Sequence, residues 1–502
     1  MNSLWKTPFA VAALSLLTLS VTTFAAESPT GTFDVRAFGA KGDGTTLDTG
    51  PINNAIAAAS EAGGGTVQLT AGTYLSASIH LQSNVTLDIG PGATLLAVSP
   101  KIAPYDAPEP NPSAGKFEDF GHRHWHNSLI WGDGLHDIAI VGTGRILGSG
   151  LARDTTSDAG AGNKSIALKL CRNVIIRDVT LQHAGWFGIL ATGVDNLTVD
   201  NLKIDTNRDG MDIDCCRNVH ISNCTVNSPN DDGICLKSSF GLGFIRPTEN
   251  VTITNCEVSG YDEGTLLDGT YAETGSSPIG RIKMGTEANG GFKNITISNC
   301  VFAYCRGLAL EEVDGGPLED VSISNITMRD IMNAPIYLRL GGRLRGPKDT
   351  TAMGTLKRVS ISHVTVYNAS SKSAVIVAGS PGFPVQDVTM SDIRIWYRGG
   401  GTAEQASRVL PEDLKGYPEP GSMGVLPAYA VYLRHVRNIS MDHIKAVTLT
   451  DDMRPAFLLD DVSNAEFENI DVTRSKSGPA FVFNSVANVQ LRSVAGEKDR
   501  QH

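Results

Sequence analysis

Apolar and polar residues alternate in a ten-residue pattern that recurs through most of the chain. Three successive copies read RNVIIRDVTL from Arg172, DNLTVDNLKI from Asp195 and RNVHISNCTV from Arg217. A period of two is typical of a half-buried β-strand, because successive side chains point to opposite faces of a sheet. Further copies begin at Glu249, Lys293, Glu319, Lys357, Gln386, Arg437 and Ser463. The pattern therefore predicts a chain built from one repeated strand unit.

The distances between these copies indicate how the strands are arranged. Successive copies begin 22 to 51 residues apart, with several intervals close to the minimum. A constant minimum interval, to which some coils add further residues, is typical of a solenoid whose coils carry loops. Leucine-rich repeats have a similar length, but they need a leucine framework and helices, which the sequence after residue 63 does not supply. We therefore expect an all-β fold, a parallel β-helix with coils from about residue 65 to residue 490.

The N-terminal part predicts an export signal followed by a cap. Residues 1–25 hold one cation, an apolar run from Phe9 to Leu19 and a small-x-small cleavage site, as signal peptides do. Residues 46–62 predict an amphipathic helix, which three glycines end. Such a helix covers the open end of a solenoid core. The sequence thus predicts a secreted or periplasmic protein with one β-helix domain, residues 26–502, and an N-terminal capping helix.

The charge balance narrows the class of partner. The formal net charge is −11, and removal of residues 1–25, which hold one Lys and no acid, makes it −11 − 1 = −12. Long-range attraction to nucleic acid or to an anionic membrane is therefore excluded, and no later segment is apolar enough to span a bilayer. We expect a monomer whose partner is a saccharide. An acidic saccharide would need local cations, and the candidates are Arg281, Lys283, Arg339, Arg343 and Arg345.

Three carboxylates fall at equivalent places in neighbouring repeats. Trp186, Asp209 and Asp231 each lie 14 residues after the start of a copy, and Asp232 follows Asp231. Because coils stack about 4.7–4.9 Å apart, we expect Trp186, Asp209 and Asp231 in one column, with the indole ring packing on a sugar. Paired acids are what glycoside hydrolysis needs, one to protonate the leaving oxygen and one to activate water. The leading hypothesis is therefore a carbohydrate-cleaving enzyme.

Two cations follow the acids along the chain. Arg281 and Lys283 alternate on a predicted strand, so both side chains point to one face and could bind a carboxylated substrate. Residues 310–314, which read LEEVD, could add further carboxylates or form a solvated strand edge. The alternative is that the acids only end strands and form turns and that the cations are solvated surface charges. Three acids in register, with cations in the next coil, favour a site.

Eight cysteines in an exported chain raise the question of disulfides. Cys224, Cys256 and Cys300 each stand seven residues into a copy of the repeat, which predicts one column of small buried side chains. Pairing cannot be read from sequence, but bridges could form among Cys215, Cys216, Cys235 and Cys305. Because no Cys-x-x-Cys pair is present, we expect no zinc site.

Histidines alternate around Trp125 at His122, His124 and His126 and could line one face of a strand. Substrate contact or a cluster at the edge of the core explains them better than a metal site. We expect His124 and His126 to bind substrate.

The order and spacing of these residues resemble glycoside hydrolase family 28, the polygalacturonase-like enzymes. The resemblance rests on Asn-x-Asp at 207–209, Asp-Asp at 231–232 and Arg-Ile-Lys at 281–283, together with the opening FGAKGDG at 38–44, which other pectin-related β-helices share. It covers nearly all of the chain after the predicted signal. The family implies a right-handed parallel β-helix that inverts the anomeric centre and needs no metal or other cofactor. Asn207 is expected to bind substrate.

The resemblance also implies roles for the acids and cations. By position, Asp231 matches the general acid of the family, and Asp209 and Asp232 match the pair that activates water. Arg281 and Lys283 match the residues that bind a galacturonate carboxylate.

One stretch departs from the family pattern. Polygalacturonases carry a Gly-His-Gly motif in the coil after the Asp pair, whereas residues 259–264 read SGYDEG. Rhamnogalacturonan-acting members also lack that histidine, and HRHWH at 122–126 is similar to bacterial members of that kind. The departure moves the expected substrate away from plain polygalacturonan without removing the acids.

The expected function is inverting hydrolysis of α-galacturonosyl linkages in a pectic polysaccharide or oligosaccharide, with a polygalacturonan or rhamnogalacturonan backbone. Intervals of 44 and 51 residues between copies of the repeat supply long loops, which favour exo action. The alternatives are β-elimination of the pectate-lyase kind, with calcium and a basic residue, and a non-catalytic carbohydrate-binding β-helix.

Overall fold

The chain forms a right-handed parallel β-helix. The computed structural model describes residues 31–113, 115–119, 121–153, 160–275, 277–474, 479–494 and 498–501. The predicted signal peptide, residues 1–25, lies outside the described residues. The β-helix class predicted from the repeat is confirmed.

Short parallel strands make up the N-terminal coils and longer ones the C-terminal coils. In chain order the first strands are β1 Thr32–Asp34, β2 Asp43–Leu47, β3 Gly65–Leu69, β4 Gly72–Ser76, β5 Ile79–His80, β6 Val85–Ile89, β7 Ala93–Ala97, β8 Ile130–Asp133, β9 His136–Val141, β10 Arg145–Leu147, β11 Lys164–Lys169, β12 Arg172–Arg177, β13 Thr180–Gln182, β14 Phe187–Thr192, β15 Asp195–Asp200, β16 Lys203–Asp205 and β17 Asp209–Asp214. They continue with β18 Arg217–Ser222, β19 Thr225–Asn227, β20 Ile234–Ser238, β21 Thr248–Thr254, β22 Glu257–Ser259, β23 Ile282–Ala288, β24 Phe292–Ala303, β25 Leu308–Glu312, β26 Pro317–Arg329, β27 Ile336–Leu340, β28 Thr355–Ala369, β29 Val375–Ala378, β30 Val385–Tyr397, β31 Val431–Thr448, β32 Phe457–Val472, β33 Phe481–Val494 and β34 Arg500–Gln501. The helices are α1 Thr49–Glu61 and α2 Ala403–Ala406, with 3₁₀ turns at Val35–Phe38 and Pro420–Met423. Within the described ranges, neither α-helix has the length and apolarity that crossing a membrane requires.

The strands stack into three faces around one core. The first face holds β5, β8, β11, β14, β17, β20, β23, β25, β27 and β29, and then the beginnings of β31, β32 and β33. On the other two faces, the separate strands of each early coil merge from β24 onward into one long strand. Inward side chains form a continuous apolar core from Val35 to Val494.

Asparagine recurs in the repeat because it bends the chain at the corners. Asn196, Asn218 and Asn250 have φ between 55° and 57°, in the left-handed region that Asn tolerates better than most residues. The Asn218 amide donates to Asn196 Oδ1 at 3.0 Å, and Asn250 donates to Asn218 Oδ1 at 3.0 Å. Each corner is therefore tied to the next by a ladder of side-chain amides.

The N-terminal cap is present but shorter than the sequence predicted. Helix α1 buries Ile52 and Ile56 against the first coils, whereas the predicted helix began at Thr46. Thr46 and Leu47 lie instead in β2, where Leu47 pairs with Leu75 of β4. Since β1 also pairs with β3, the coils begin before the predicted residue 65.

The buried column of cysteines predicted from the repeat is present, but the suggested disulfide bridges are not. Cys256 lies between Cys224 and Cys300 in a buried column, with their side chains in contact, as the repeat predicted. All eight cysteines are buried and free. The suggested bridges among Cys215, Cys216, Cys235 and Cys305 are therefore wrong, because these thiols are directed to separate partners; Cys235, for example, donates to the Gly285 carbonyl.

Candidate active site

Three acids meet on the first face of the β-helix. One carboxylate oxygen each from Asp209, Asp231 and Asp232 lies within 4.8 Å of the other two. Asp209 opens β17, while Asp231 and Asp232 lie in the turn before β20. Asp209 and Asp232 are almost fully buried, whereas 24% of the Asp231 side chain is exposed. Asp231 is therefore the acid of the cluster that a ligand in solvent reaches first.

The residues that are level with Asp209 in the neighbouring coils are each one position later in the chain than the sequence predicted. Asp209 is level with Phe187 of β14, and the pairing of β17 with β20 places it level with Asp232. Trp186 and Asp231 accordingly belong to the neighbouring column. Three residues (206–208) separate the preceding strand from Asp209, whereas four separate it from the residues level with Asp209 in the coils on either side, 183–186 before Phe187 and 228–231 before Asp232. A count from the repeat starts does not show this difference. The predicted column of Trp186, Asp209 and Asp231 is wrong, although the three acids do come together.

The glycine after Asp209 is required by the stacking of the coils. A Cβ atom on Gly210 would lie 2.4 Å from the Gly233 carbonyl oxygen and 2.4 Å from Val226 Cγ1. The Gly210 amide donates to the Asp232 carbonyl at 3.0 Å. The Asp-Gly pair thus brings two backbones close together and places their acids side by side, rather than only forming a turn.

Asp232 is held as an anion by two buried cations. Arg281 Nε donates to Asp232 Oδ1 at 2.8 Å, and Lys283 Nζ lies 3.1 Å from Oδ2. Burial opposes ionisation of Asp232, but Lys283 and Arg281 outweigh it and hold the pKa of this carboxyl well below its usual range. Arg281 and Lys283 are 1% and 3% exposed. The predicted alternation of the two cations on one face places them both on this acid.

The pKa values of Asp231 and Asp209 are raised, whereas that of Asp232 is lowered. Burial, and then the charge of Asp232, raise the pKa of Asp231. Burial raises the pKa of Asp209 well above its usual value, with Asp212 and Asp231 adding to the effect. Arg208 donates to Asp231 Oδ2, and its guanidinium lies 3.9 Å from the centre of the Trp186 ring. Trp186 therefore supports a cation beside Asp231, and that cation covers one face of its ring.

A second ionic cluster, of which the sequence indicated only His122, adjoins the acids. His122 Nε2 lies 2.5 Å from Asp212 Oδ2 and its Nδ1 lies 3.3 Å from Glu287 Oε2. Lys237 Nζ lies 3.8 Å from the same Asp212 oxygen and 3.7 Å from Glu287 Oε2. Asp212 is level with Cys235 and Lys283 in the strand register. Asp212 of β17 and Lys237 of β20 lie on neighbouring strands of the first face, so stacking along the strands accounts for these two members, whereas His122 comes from a connection outside the repeat.

The LEEVD segment supplies one further carboxylate. Glu311 lies 3.6 Å from Lys283 Nζ and 3.9 Å from Arg281 Nη2, and burial raises its pKa to about 7 against the effect of these cations. Glu312 instead accepts the backbone N–H groups of a turn, and Asp314 pairs with Arg343.

The other cations proposed from sequence have partners away from the acids. Arg339 donates to the carbonyl of Gly379 at 2.8 Å. Arg345 pairs with Asp119 at 2.5 Å and so joins two loops.

Two long connections reach the first face from outside the repeat. The 398–430 connection, between β30 and β31, places Glu419 on Arg281 and Tyr417 beside Lys283. The 98–129 connection, between β7 and β8, places His122 on Asp212. Neither contact follows the 22-residue period, so the repeat could not have predicted them.

The remaining predicted ligands lie at varied distances from the acids. Asn207 is partly buried beside Arg208, and its carbonyl accepts the Asn230 N–H at 3.0 Å. His124 Nδ1 lies 3.0 Å from the Glu109 carbonyl oxygen, and His126 stacks on Trp131 at 3.9 Å. Trp131 is three coils from Asp212 in the register. Substrate binding by these residues stays a prediction.

The three acids are also close enough together to be considered as ligands of one metal ion. Three carboxylate oxygens within 4.8 Å of one another form a donor set that a hard cation accepts. Asp231 and Asp232, however, already pair with Arg208, Arg281 and Lys283. Because the chain's own cations balance these acids, the residues fit water and sugar hydroxyls better than a metal ion.

Comparison with known sequences identifies related proteins. The sequence model of "Glycosyl hydrolases family 28" matches residues 114–412, and that of "Rhamnogalacturonase A/epimerase, pectate lyase-like" matches residues 32–98. A "Probable polygalacturonase" of Vitis vinifera is 25% identical over 380 residues, which cover 71% of this chain and 73% of that protein. An "Exo-poly-alpha-D-galacturonosidase" of Dickeya chrysanthemi is 26% identical over 385 residues, covering 72% of this chain and 62% of that protein.

Comparison with solved structures supports the fold. An exopolygalacturonase of Thermotoga maritima superposes with a TM-score of 0.62 at 18% identity, covering 83% of this chain and 92% of that one. A family 28 exopolygalacturonase of Yersinia enterocolitica gives a TM-score of 0.61 at 18% identity, covering 92% and 78%. Both similarities identify the same right-handed solenoid.

Proposed function

The chain belongs to glycosyl hydrolases family 28, and we propose on that premise that it hydrolyses α-galacturonosyl linkages of a pectic saccharide, from the chain end and with inversion. It is a glycoside hydrolase. In this proposal Asp231 is the general acid, and Asp209 and Asp232 position and activate the water. The predicted signal at residues 1–25 supports action outside the cytoplasm, on secretion or in the periplasm.

The observation that carries the proposal is the contrast between two adjacent acids, Asp231, which is partly exposed and has a raised pKa, and Asp232, which two buried cations pair with and whose pKa is lowered. General acid catalysis requires one carboxyl that keeps its proton near neutral pH, next to groups that stay ionised. The raised pKa of Asp231 and its exposure suit the first role, and the ion pairs of Asp232 with Arg281 and Lys283 suit the second. Asp209 then shares the water with Asp232, because the two are level in the register.

Exo action is supported by two connections that pack on the first face, one on each side of the acids along the β-helix axis. On the C-terminal side, Leu410 and Leu426 of the 398–430 connection pack on Tyr337 and Tyr432 of the face. On the N-terminal side, Trp125 of the 98–129 connection packs on Leu190 and its neighbours. A groove covered at its ends admits a chain terminus more readily than the middle of a polymer. The exo-acting relatives named above are consistent with this geometry.

The products of polygalacturonate provide the direct test. We expect galacturonate monomer to be the main product from the first minutes, with a slow fall in viscosity, because each cut removes a terminal unit. Activity should persist in excess chelator without absorbance from an unsaturated product, since neither calcium nor β-elimination is involved. Early release of a ladder of oligomers would contradict exo action. Activity confined to rhamnogalacturonan backbone fragments would keep the site and change the substrate.

The configuration of the released sugar tests inversion. The three acids lie within 4.8 Å of one another, closer than the roughly 6.5–9.5 Å usual between acid and base in inverting glycosidases, so inversion rests on family membership rather than on this distance. Proton NMR during hydrolysis of an α-linked oligogalacturonide should show the β anomer first and the α anomer only after mutarotation. An α anomer at the earliest time point would mean a covalent retaining route.

A further inference from the structure

A carboxylate of the chain itself lies where the family resemblance places a substrate carboxylate. Glu419 accepts from Nη2 of Arg281, and its second oxygen lies 3.4 Å from Nη1 of the same guanidinium. That second oxygen also lies 3.0 Å from Arg306 Nη1. Glu419 thus forms a forked contact with Arg281, which is the geometry by which arginine recognises a carboxylate ligand.

The neighbouring cation is occupied in the same way. Lys283 Nζ lies 3.1 Å from Asp232, 3.6 Å from Glu311 and 3.4 Å from the Tyr417 hydroxyl. Since Arg281 and Lys283 are 1% and 3% exposed, neither offers an open surface to a ligand. A uronate carboxylate can pair with Arg281 only where Glu419 now lies.

The local charge balance points the same way. Three acids, Asp232, Glu311 and Glu419, already surround Arg281 and Lys283 in a buried setting, with Arg306 on the outer side. A substrate carboxylate would add a further anion to this group, and buried like charges repel strongly. A sugar without a free carboxylate brings no such charge.

We propose that Glu419 is a specificity-determining residue, which competes with a substrate carboxylate for Arg281 and so favours a neutral sugar at the position beside Arg281 and Lys283. Methyl-esterified galacturonate and rhamnose both meet that requirement. The inference rests on the proposed function, because it concerns the saccharide unit that would lie beside Arg281 and Lys283 during that hydrolysis.

The test compares Glu419→Gln with the wild-type enzyme on polygalacturonate and on methyl-esterified polygalacturonate of the same length. Gln keeps the size and a hydrogen bond to Arg281 but removes the competing charge. The ratio of kcat/KM on the free acid to kcat/KM on the ester should rise about tenfold, the scale of one charge-assisted hydrogen bond. Glu412→Gln is the matched control, because Glu412 lies in the same connection but contacts Arg434 and His435. Its ratio should equal that of the wild type.

Calorimetry separates this inference from the proposed function. Binding is measured with the Asp231→Asn variant, which does not hydrolyse the ligand. Adding Glu419→Gln to this variant should tighten binding of oligogalacturonate but not of its methyl ester. Equal losses on both substrates, with an unchanged ratio, would mean that Glu419 only holds Arg281 in place and would overturn the inference. Absence of turnover on either polymer would refute the proposed function, while the binding comparison would still decide the role of Glu419.

Discussion

Replacing Asp231 with Asn is expected to lower kcat on the cleaved saccharide by about 10²–10⁴-fold, the usual contribution of a general acid. The amide cannot deliver a proton to the leaving oxygen. Neither remaining acid takes over this role, because Arg281 and Lys283 keep Asp232 ionised and Asp209 is level with Asp232 rather than with Asp231. The fold should persist, because Asn has nearly the size of Asp and keeps an oxygen that accepts the hydrogen bond from Arg208. Substrate binding should change little.

Two measurements separate this role from a general loss of charge. Asp268→Asn, at an exposed acid in the 260–280 loop, should leave kcat unchanged. In the wild-type enzyme the rate should fall as pH rises through the raised pKa of Asp231, because the protonated form is then lost. Asp232, whose pKa is depressed, stays ionised throughout this range. If the Asp231→Asn variant retained most of the activity, or if its rate still fell with rising pH as the wild-type rate does, another residue would be the general acid.

The fold could be predicted because the repeat carries the physical determinants of a coil. Alternating Val and Ile supply the buried face, and Asn at fixed positions supplies the left-handed corners that Asn218 and Asn250 adopt. The predicted helix began too early because Thr46 and Leu47 continue the helical period, while their actual conformation depends on pairing with β4. A partner strand of that kind is not visible in a local pattern.

The sequence predicts which acids and cations form the site, but not which of them are level with one another in neighbouring coils. Asp209, Asp231 and Asp232 come together because stacked coils bring equal positions close together, yet a turn shorter by one residue moved Trp186 out of the column of Asp209. Counting from repeat starts assumes turns of equal length.

The partners that cover the site could not be found from the repeat. Tyr417 and Glu419 come from the 398–430 connection, and His122 comes from the 98–129 connection. Each reaches the first face through tertiary packing of a loop, and loop packing has no period in the sequence. The same connections are the parts of the chain that the proposed specificity depends on.

Lys237→Met is expected to destabilise the folded protein by about 3–5 kcal/mol at pH 8, the usual cost of removing one member of a buried charge cluster. Lys237 is 6% exposed and lies within 3.8 Å of Asp212 and Glu287. Its charge also acts to lower the pKa of Asp209, although burial and the neighbouring acids keep that pKa well above its usual value. Met has similar length and packs well in irregular space, so the loss reports charge rather than a cavity. Lys445→Met is the control, because Lys445 pairs with Asp471 at the surface and should contribute less than about 1 kcal/mol.

The deficit of Lys237→Met should shrink as the pH falls from 8 to 5. Burial already raises the pKa of Glu287 and Asp209 in the folded state, and loss of the cation raises them further. A carboxyl whose folded pKa exceeds its unfolded pKa costs stability at higher pH, and that cost declines as pH drops through the folded pKa because the group takes up a proton. Denaturant unfolding of both proteins at pH 5 and pH 8 measures the difference. A deficit that is equal at the two pH values would show that Lys237 contributes packing alone, and that the carboxylates beside it do not depend on its charge.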